Sequence, residues 1–294
     1  MLAIDSQTAS SNIISIVDAA TDQPTRTEPG GEPTWIASAE NFVILITKVN
    51  AGTVLASGDT PDEHIVILPD AAVSLTTGGE APVEIDGYHL VIVPPGASEI
   101  VARSEGLVIR CFSSRRADLL ALGGNRPARS AQAGTALLPL GDSQPPPGGF
   151  KVRAYSLADH RSSDGRKRVF RSSNLMVNVL MERDQPRDVR ALTPHSHKNF
   201  EQGSIAVFGS YIHHLRTPWT PDMTRWLPDE ALTVGSPSVV VIPPEVVHTS
   251  RNVGWGRAML IDVFAPPRAD FSAQPGTVCN ADDYPLDPEE ARQP

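Results

Sequence analysis

Two apolar runs that end in a proline pair, HLVIVPP at 89–95 and SVVVIPP at 238–244, limit what this chain can become. Each is too short for a stable helix. Each is cut by residues that can neither donate to a β-ladder nor continue a helix. The other apolar stretches have the same character: FVILITKV at 42–49, HIVIL at 64–68, GLVIRCF at 106–112, NLMVNVLME at 174–182, GSIAVFGSYIHHL at 203–215 and AMLIDVF at 258–264. They are rich in Val and Ile and separated by Gly, Pro, Asn and Asp, the pattern of short strands between turns. With 27 Pro and 22 Gly and no long helical periodicity between the runs, the expected class is all-β, a sandwich or barrel rather than alternating βαβ units. The best helical candidate, 118–122, is a short one.

A length of 294 residues accommodates two domains with separate cores. The strand-rich blocks run from 34 to 113 and from 151 to 264. Between them lies a Gly, Pro, Ala and Ser-rich stretch ending in QPPPGGF. The expected division is an N-terminal barrel over 1–122, a linker over 123–150 whose LLPL at 137–140 could dock on a barrel, and a C-terminal barrel with its tail over 151–294. The blocks share an order of features. Each has a Glu entering a β-run (Glu63, Glu201), then a Gly (Gly87, Gly235), then an apolar strand ending in Pro-Pro, then a candidate site residue (Glu99, His248). Chance pairing of proline doublets in a Pro-rich chain is the competing explanation.

The net charge of -9 and the lack of a basic run argue against nucleic-acid or anionic-membrane partners and leave a small-molecule substrate as the expected partner. The opening MLAIDSQTASSNIISIVDAA lacks a basic segment followed by an apolar one, and no apolar run reaches membrane-spanning length, so a cytoplasmic location is expected. Cys111 and Cys279 read as reduced thiols, packed as small apolar residues.

His195 and His197 flank one residue, so on an extended strand both imidazoles point to one face, with Glu201 four positions on. Two neutral nitrogens and a carboxylate suit Fe, Mn, Ni, Co or Zn better than Ca or Mg. His248, after the PPEVV turn, could add a further nitrogen. These residues resemble the cupin superfamily. PHSHKNFEQGSIAVFG supplies His195, His197, Glu201 and Gly209 in the order of the first cupin motif, and GSPSVVVIPPEVVHTSRN supplies Gly235, Pro243, His248 and Asn252 in the order of the second. The chain departs from the pattern in three places: the Gly six residues before the first His is absent, Glu245 replaces the turn Gly, and the spacing from Gly235 to Pro243 is longer by two.

The resemblance implies two tandem jelly-roll barrels. It implies a divalent transition metal held by His195, His197, Glu201 and His248, with iron foremost and Mn, Ni, Co or Zn as the other candidates. Aligned on the same pattern, the first block has Ser57 and Asp59 at the paired-His positions and Glu99 at the third, and reads as a degenerate barrel without metal. Asp59, Glu63 and Glu99 could hold a hard cation through oxygen, but acidic loop residues are usually solvated.

Four ligands leave two adjacent positions of an octahedral ion open. The resemblance then implies first an O₂-dependent oxidoreductase, a dioxygenase acting on a small substrate that chelates the metal through oxygens. A metal-dependent isomerase or lyase, or a non-enzymatic binding protein, is the alternative. Glu201 could accept a proton. His213 and His214 are adjacent on a strand, so one of them faces the barrel interior and is the candidate proton donor or acceptor. Arg190 could bind a substrate carboxylate, and Trp219 with Trp226 could form a lid or a contact between subunits. Unpaired sheet edges make a homodimer the expected assembly.

Overall fold

The structure, a computed structural model, describes residues 14–123 and 137–286. It is built almost wholly of short antiparallel strands in four sheets, as the turn-punctuated apolar runs require. One sheet has seven strands, in the spatial order Arg153–Ser156, His89–Val93, His64–Leu68, Gly106–Ser113, Phe42–Val49, Pro33–Ser38 and Arg26–Thr27. It packs on a four-stranded sheet of Val54–Thr60, Gly96–Ala102, Val73–Thr77 and Val83–Ile85, closing the N-terminal jelly roll. The C-terminal jelly roll pairs a six-stranded sheet, Ser15–Asp18, Ser238–Ile242, Gln202–Phe208, Met259–Phe264, Met176–Leu180 and Lys167–Arg171, with a three-stranded one, Glu230–Val234, Tyr211–Arg216 and Val247–Asn252.

The two large sheets lie back to back, and the largest hydrophobic cluster fills the space between them. Ile44, Ile65, Ile92 and Ile109 come from one side, and Val177, Ile205, Val239 and Ile261 from the other. Alternate residues of the same strands turn into the barrels: Val66, Val91 and Val108 in the first, Ala206, Val240 and Leu260 in the second. Burial on both faces is why these runs lack the apolar-polar alternation of a half-exposed strand. At Gly203 the sheets approach so closely that a Cβ would lie 2.7 Å from Ile44 Cδ1 and 2.8 Å from Phe42 Cε2.

The sheets do not follow the sequence blocks. Ser15–Asp18 pairs with Ser238–Ile242 at the edge of the C-terminal sheet, and Arg153–Ser156 pairs with His89–Val93 at the corresponding edge of the N-terminal sheet. Each barrel therefore borrows one edge strand from the other half of the chain. The exchanged strands become the outer edges of their sheets.

Residues 124–136 of the expected linker lie outside the described residues. The LLPL segment docks between the barrels: Leu138 N donates to Asn199 O (3.1 Å), Asn41 Nδ2 donates to Leu138 O (2.7 Å), and Leu140 packs against the central cluster. The expected short helix runs over Ala117–Leu122. The tail is ordered by packing, with a helical turn at Ala269–Ser272 and with Tyr284 buried in the central cluster. Cys111 is buried in the same cluster, where loss of solvation pushes its thiol up to about 12, so it packs as an apolar residue. Among the described residues no helix is long and apolar enough to cross a membrane.

Candidate metal centre in the C-terminal barrel

Period-two alternation along Gln202–Phe208 decides which residues reach the barrel interior. Gly203, Ile205 and Val207 face the other barrel, so Gln202, Ser204 and Ala206 face inward, and Glu201, one residue before Gln202, falls on the outer side. The strand Val247–Asn252 alternates likewise and points His248 and Ser250 inward. The loop ahead of Gln202 is held against it through His195 N donating to His248 O (3.0 Å) and His248 N donating to His195 O (2.7 Å). Glu245 takes the left-handed conformation (φ 66°), the one a turn Gly would hold without strain, and its N–H donates to His197 O at 2.6 Å. The replaced glycine thus keeps its backbone shape and ties the turn to the histidine loop.

The result is a cluster of His195, His197 and His248 whose ligand nitrogens lie within 4.8 Å of one another. His195 Nδ1 donates to Thr193 O (2.9 Å) and His248 Nδ1 donates to Val246 O (2.9 Å), so in each the lone pair is left on Nε2. Burial pushes His197 down to about 3 and His248 to about 4, so both imidazoles are neutral at physiological pH. Arg268, with Nη1 3.3 Å from His197 Nδ1 and stacked on Phe264, lowers His197 further.

Glu201 does not join this cluster. Its Oε2 accepts from the backbone N–H of Glu40 in the N-terminal barrel at 2.6 Å. Against the expected ligand position, strand parity turns Glu201 toward the neighbouring barrel, apart from the three histidines. Glu63 does the same in reverse, accepting from Ser173 N (3.0 Å) and from Tyr284 Oη (2.7 Å). The polar group that reaches the histidines is Gln202. Its Nε2 donates to Asp262 Oδ1 (3.0 Å), which fixes the amide so that Oε1 lies 3.0 Å from His197 Nε2 and 3.2 Å from His248 Nε2. Ser204 Oγ also donates to Asp262 Oδ1 (2.9 Å), and burial pushes that carboxyl up to about 6. At motif spacing the neighbouring carboxylate of Glu201 masks Gln202 in the sequence. The parity of the following strand was the signal for it.

Of the histidine pair, His213 is the inward one. It is fully buried, its Nδ1 bonded to Ser250 Oγ at 2.7 Å and its Nε2 without a partner among the described residues. Burial pushes it down to about 4. His214 lies on the opposite face of the strand and accepts from Arg251 Nε (3.1 Å). Arg190 is exposed and away from the cluster's contacts, and Trp219 and Trp226 stack on each other at 4.4 Å on the surface. In the N-terminal barrel the expected oxygen donors are dispersed: Asp59 and Glu99 are exposed, and Glu63 is held by Ser173 and Tyr284.

No protein-family model matches the chain, and no curated protein matches it. Solved structures do. Oxalate decarboxylase of Bacillus subtilis aligns with a TM-score of 0.55 at 11% identity over 94% of this chain and 85% of its own. AerE from Microcystis aeruginosa aligns at 0.54 with 9% identity over 87% and 100%, and YlbA from E. coli at 0.54 with 10% identity over 87% and 91%. These similarities establish the fold as two tandem cupin barrels. One of the oxalate decarboxylase structures concerns the Mn(II) centres of that enzyme.

Proposed function

We propose that the chain is a metal-dependent cupin enzyme. In this reading one divalent transition metal binds in the C-terminal barrel on His195, His197 and His248, with Gln202 Oε1 as an oxygen donor, and the enzyme acts on a small substrate that chelates through oxygen. The observation that carries this is the 3.2 Å contact between His248 Nε2 and Gln202 Oε1. A neutral His248 has its one proton committed to Val246 O, and the Gln202 amide is oriented by Asp262. Two lone pairs therefore face each other, an arrangement that a cation between them stabilises.

Such an ion supplies Lewis acidity and, if it is Fe, Mn, Co or Ni, electron transfer with O₂. The donor set of three imidazoles and an amide is uncharged, so the site favours an anionic, chelating substrate. His213, neutral and with Nε2 unpartnered, can accept or deliver one proton inside the barrel, with Ser250 holding its ring. Asp262 holds the Gln202 amide and is itself held by Ser204.

Our first assignment of reaction is O₂-dependent oxidation of that substrate, a dioxygenase activity. A Lewis-acid isomerase or lyase is the second, supported by the proton-transfer position of His213. Metal analysis of protein purified without an affinity tag tests the common part: about one equivalent is expected, and none in His248→Ala. Failure to load any divalent transition metal after reconstitution would overturn it. With metal present, O₂ uptake with catechols, hydroxybenzoates and enediols supports the oxidase reading. Substrate deuterium exchange without O₂ uptake supports the isomerase or lyase.

A further inference from the structure

Among the described residues the N-terminal barrel has no histidine cluster, yet it repeats the framework of the candidate metal centre. Phe264 packs against His197, Arg268 lies 5.0 Å over the Phe264 ring, and Arg268 is clamped by Asp270. In the first barrel Phe112 stacks on His64 at 4.6 Å, Arg116 lies 5.3 Å over Phe112, and Arg116 is clamped by Asp118. His64 follows Glu63 as Gln202 follows Glu201. Ser57 stands six residues before Glu63, as His195 does before Glu201.

The groups at this second position are buried, polar and unsatisfied. His64 has no exposed surface, and neither ring nitrogen has a partner among the described residues. The hydroxyls of Ser57 (4% exposed) and Ser98 (6%) are also without partners. Ser98 pairs with Gly58 across the two strands, beside Ser57, and a bulge follows it; this turns Ser98 inward and leaves Glu99 outside. Arg116 Nη1 is bonded to the Ser57 carbonyl. Arg110, 1% exposed, bonds Glu28 through Nη2 (2.9 Å) and has its Nε unpartnered. Two guanidinium groups act on His64, those of Arg110, which pairs with Glu28, and of Arg116, which pairs with Asp118.

Four buried polar atoms on three side chains are too costly a defect for a packed core, since each unmet group costs about 1–3 kcal/mol. We propose that the N-terminal barrel binds a small organic carboxylate at Ser57, His64 and Ser98, in the positive field of Arg110 and Arg116, at the position that corresponds to the metal centre. The hydroxyls and one ring N–H donate to the carboxylate oxygens, and the guanidinium groups balance its charge. Burial first, and then the charges of Arg110 and Arg116, push His64 down to about 3, so its ring is neutral. The site requires no metal and does not depend on the proposed activity of the other barrel.

The test uses the full chain with ¹⁵N-labelled histidine, stripped of metal with a chelator, titrated with formate, acetate and malonate. A saturable shift of the His64 ring ¹⁵N signals by at least one probe is expected, with a concentration-dependent rise in Tm. Both effects should be lost in Ser57→Ala/Ser98→Ala and in His64→Gln, and kept in His248→Ala. Absence of any saturable shift would mean that buried water alone satisfies these groups, and would overturn the proposal. So would a response that survives Ser57→Ala/Ser98→Ala but disappears in His248→Ala, because the probe would then occupy the other barrel. If His64→Gln fails to fold, the serine variant carries the test.

Discussion

Glu201 Oε2 accepts a 2.6 Å hydrogen bond from the backbone N–H of Glu40, across the boundary between the two barrels. A carboxylate held this way is a structural clamp, and the neighbouring Gln202 is the group directed at the histidines. Glu201→Ala is therefore expected to retain bound metal and to lower stability by about 1–3 kcal/mol, the cost of stranding a buried donor. Gln202→Leu should do the opposite, weakening metal binding while leaving stability close to wild type. Metal content and urea midpoints on both variants check this; metal loss in Glu201→Ala with retention in Gln202→Leu would reverse the assignment.

Asp262 acts on the site through Gln202. Replacing it by Leu frees the amide to rotate and removes the partner of Ser204. Partners of ligating groups typically contribute about 10–100-fold to metal affinity. A competitive chelator titration of Asp262→Leu should show a loss in that range with the three histidines intact.

His213→Gln keeps a polar side chain beside Ser250 but cannot move a proton. Once a substrate is found, kcat should fall about 10²–10⁴-fold, the usual contribution of a general acid or base, with metal content unchanged. His214→Gln, on the outer face, should leave kcat unaltered.

Stability should fall as the medium becomes acidic. His64 and His213 are buried neutral, with folded-state values of about 3 and about 4 against an ordinary value of 6.5. Between those limits the unfolded chain binds more protons than the folded one. The stability they provide is present in full above pH 6.5 and drains away below it, each at up to about 1.4 kcal/mol per pH unit. Denaturant midpoints from pH 7 to pH 4 should show this slope, and His64→Phe should make it shallower.

The contact between barrels leaves no room at Gly203. A methyl group there meets Ile44 and Phe42 below 3 Å, so Gly203→Ala should cost about 1–3 kcal/mol by forcing the two sheets apart. Thermal unfolding of the variant gives the answer directly.

Much of this architecture was legible in the sequence because its causes are local. Proline pairs, glycines and apolar runs located the strands, and the spacing of His195, His197 and His248 located the cluster. What escaped was set by parity and by the second barrel. Choosing Gln202 over Glu201 required knowing which face of the strand is interior, and that is fixed by a sheet packed on Ile44 and Phe42 more than a hundred residues away. The repeat Phe-x-x-x-Arg-Ala-Asp, at 112–118 and 264–270, was also present in the sequence and aligns the two barrels more firmly than the proline doublets do. Neither copy contains a histidine, so the motif carries no metal-site signal of its own. The exchange of edge strands has no local signature, since Ser15–Asp18 and Arg153–Ser156 look the same whichever sheet they join.

That exchange governs how the molecule is made. During synthesis the first barrel lacks its edge until residue 156 has left the ribosome, and the opening strand has no partner until 242 has followed it. Neither half can finish folding alone, and a protease cut in the linker would release two incomplete sheets with bare, aggregation-prone margins. Each large sheet is thus completed only by a strand from the other half of the chain.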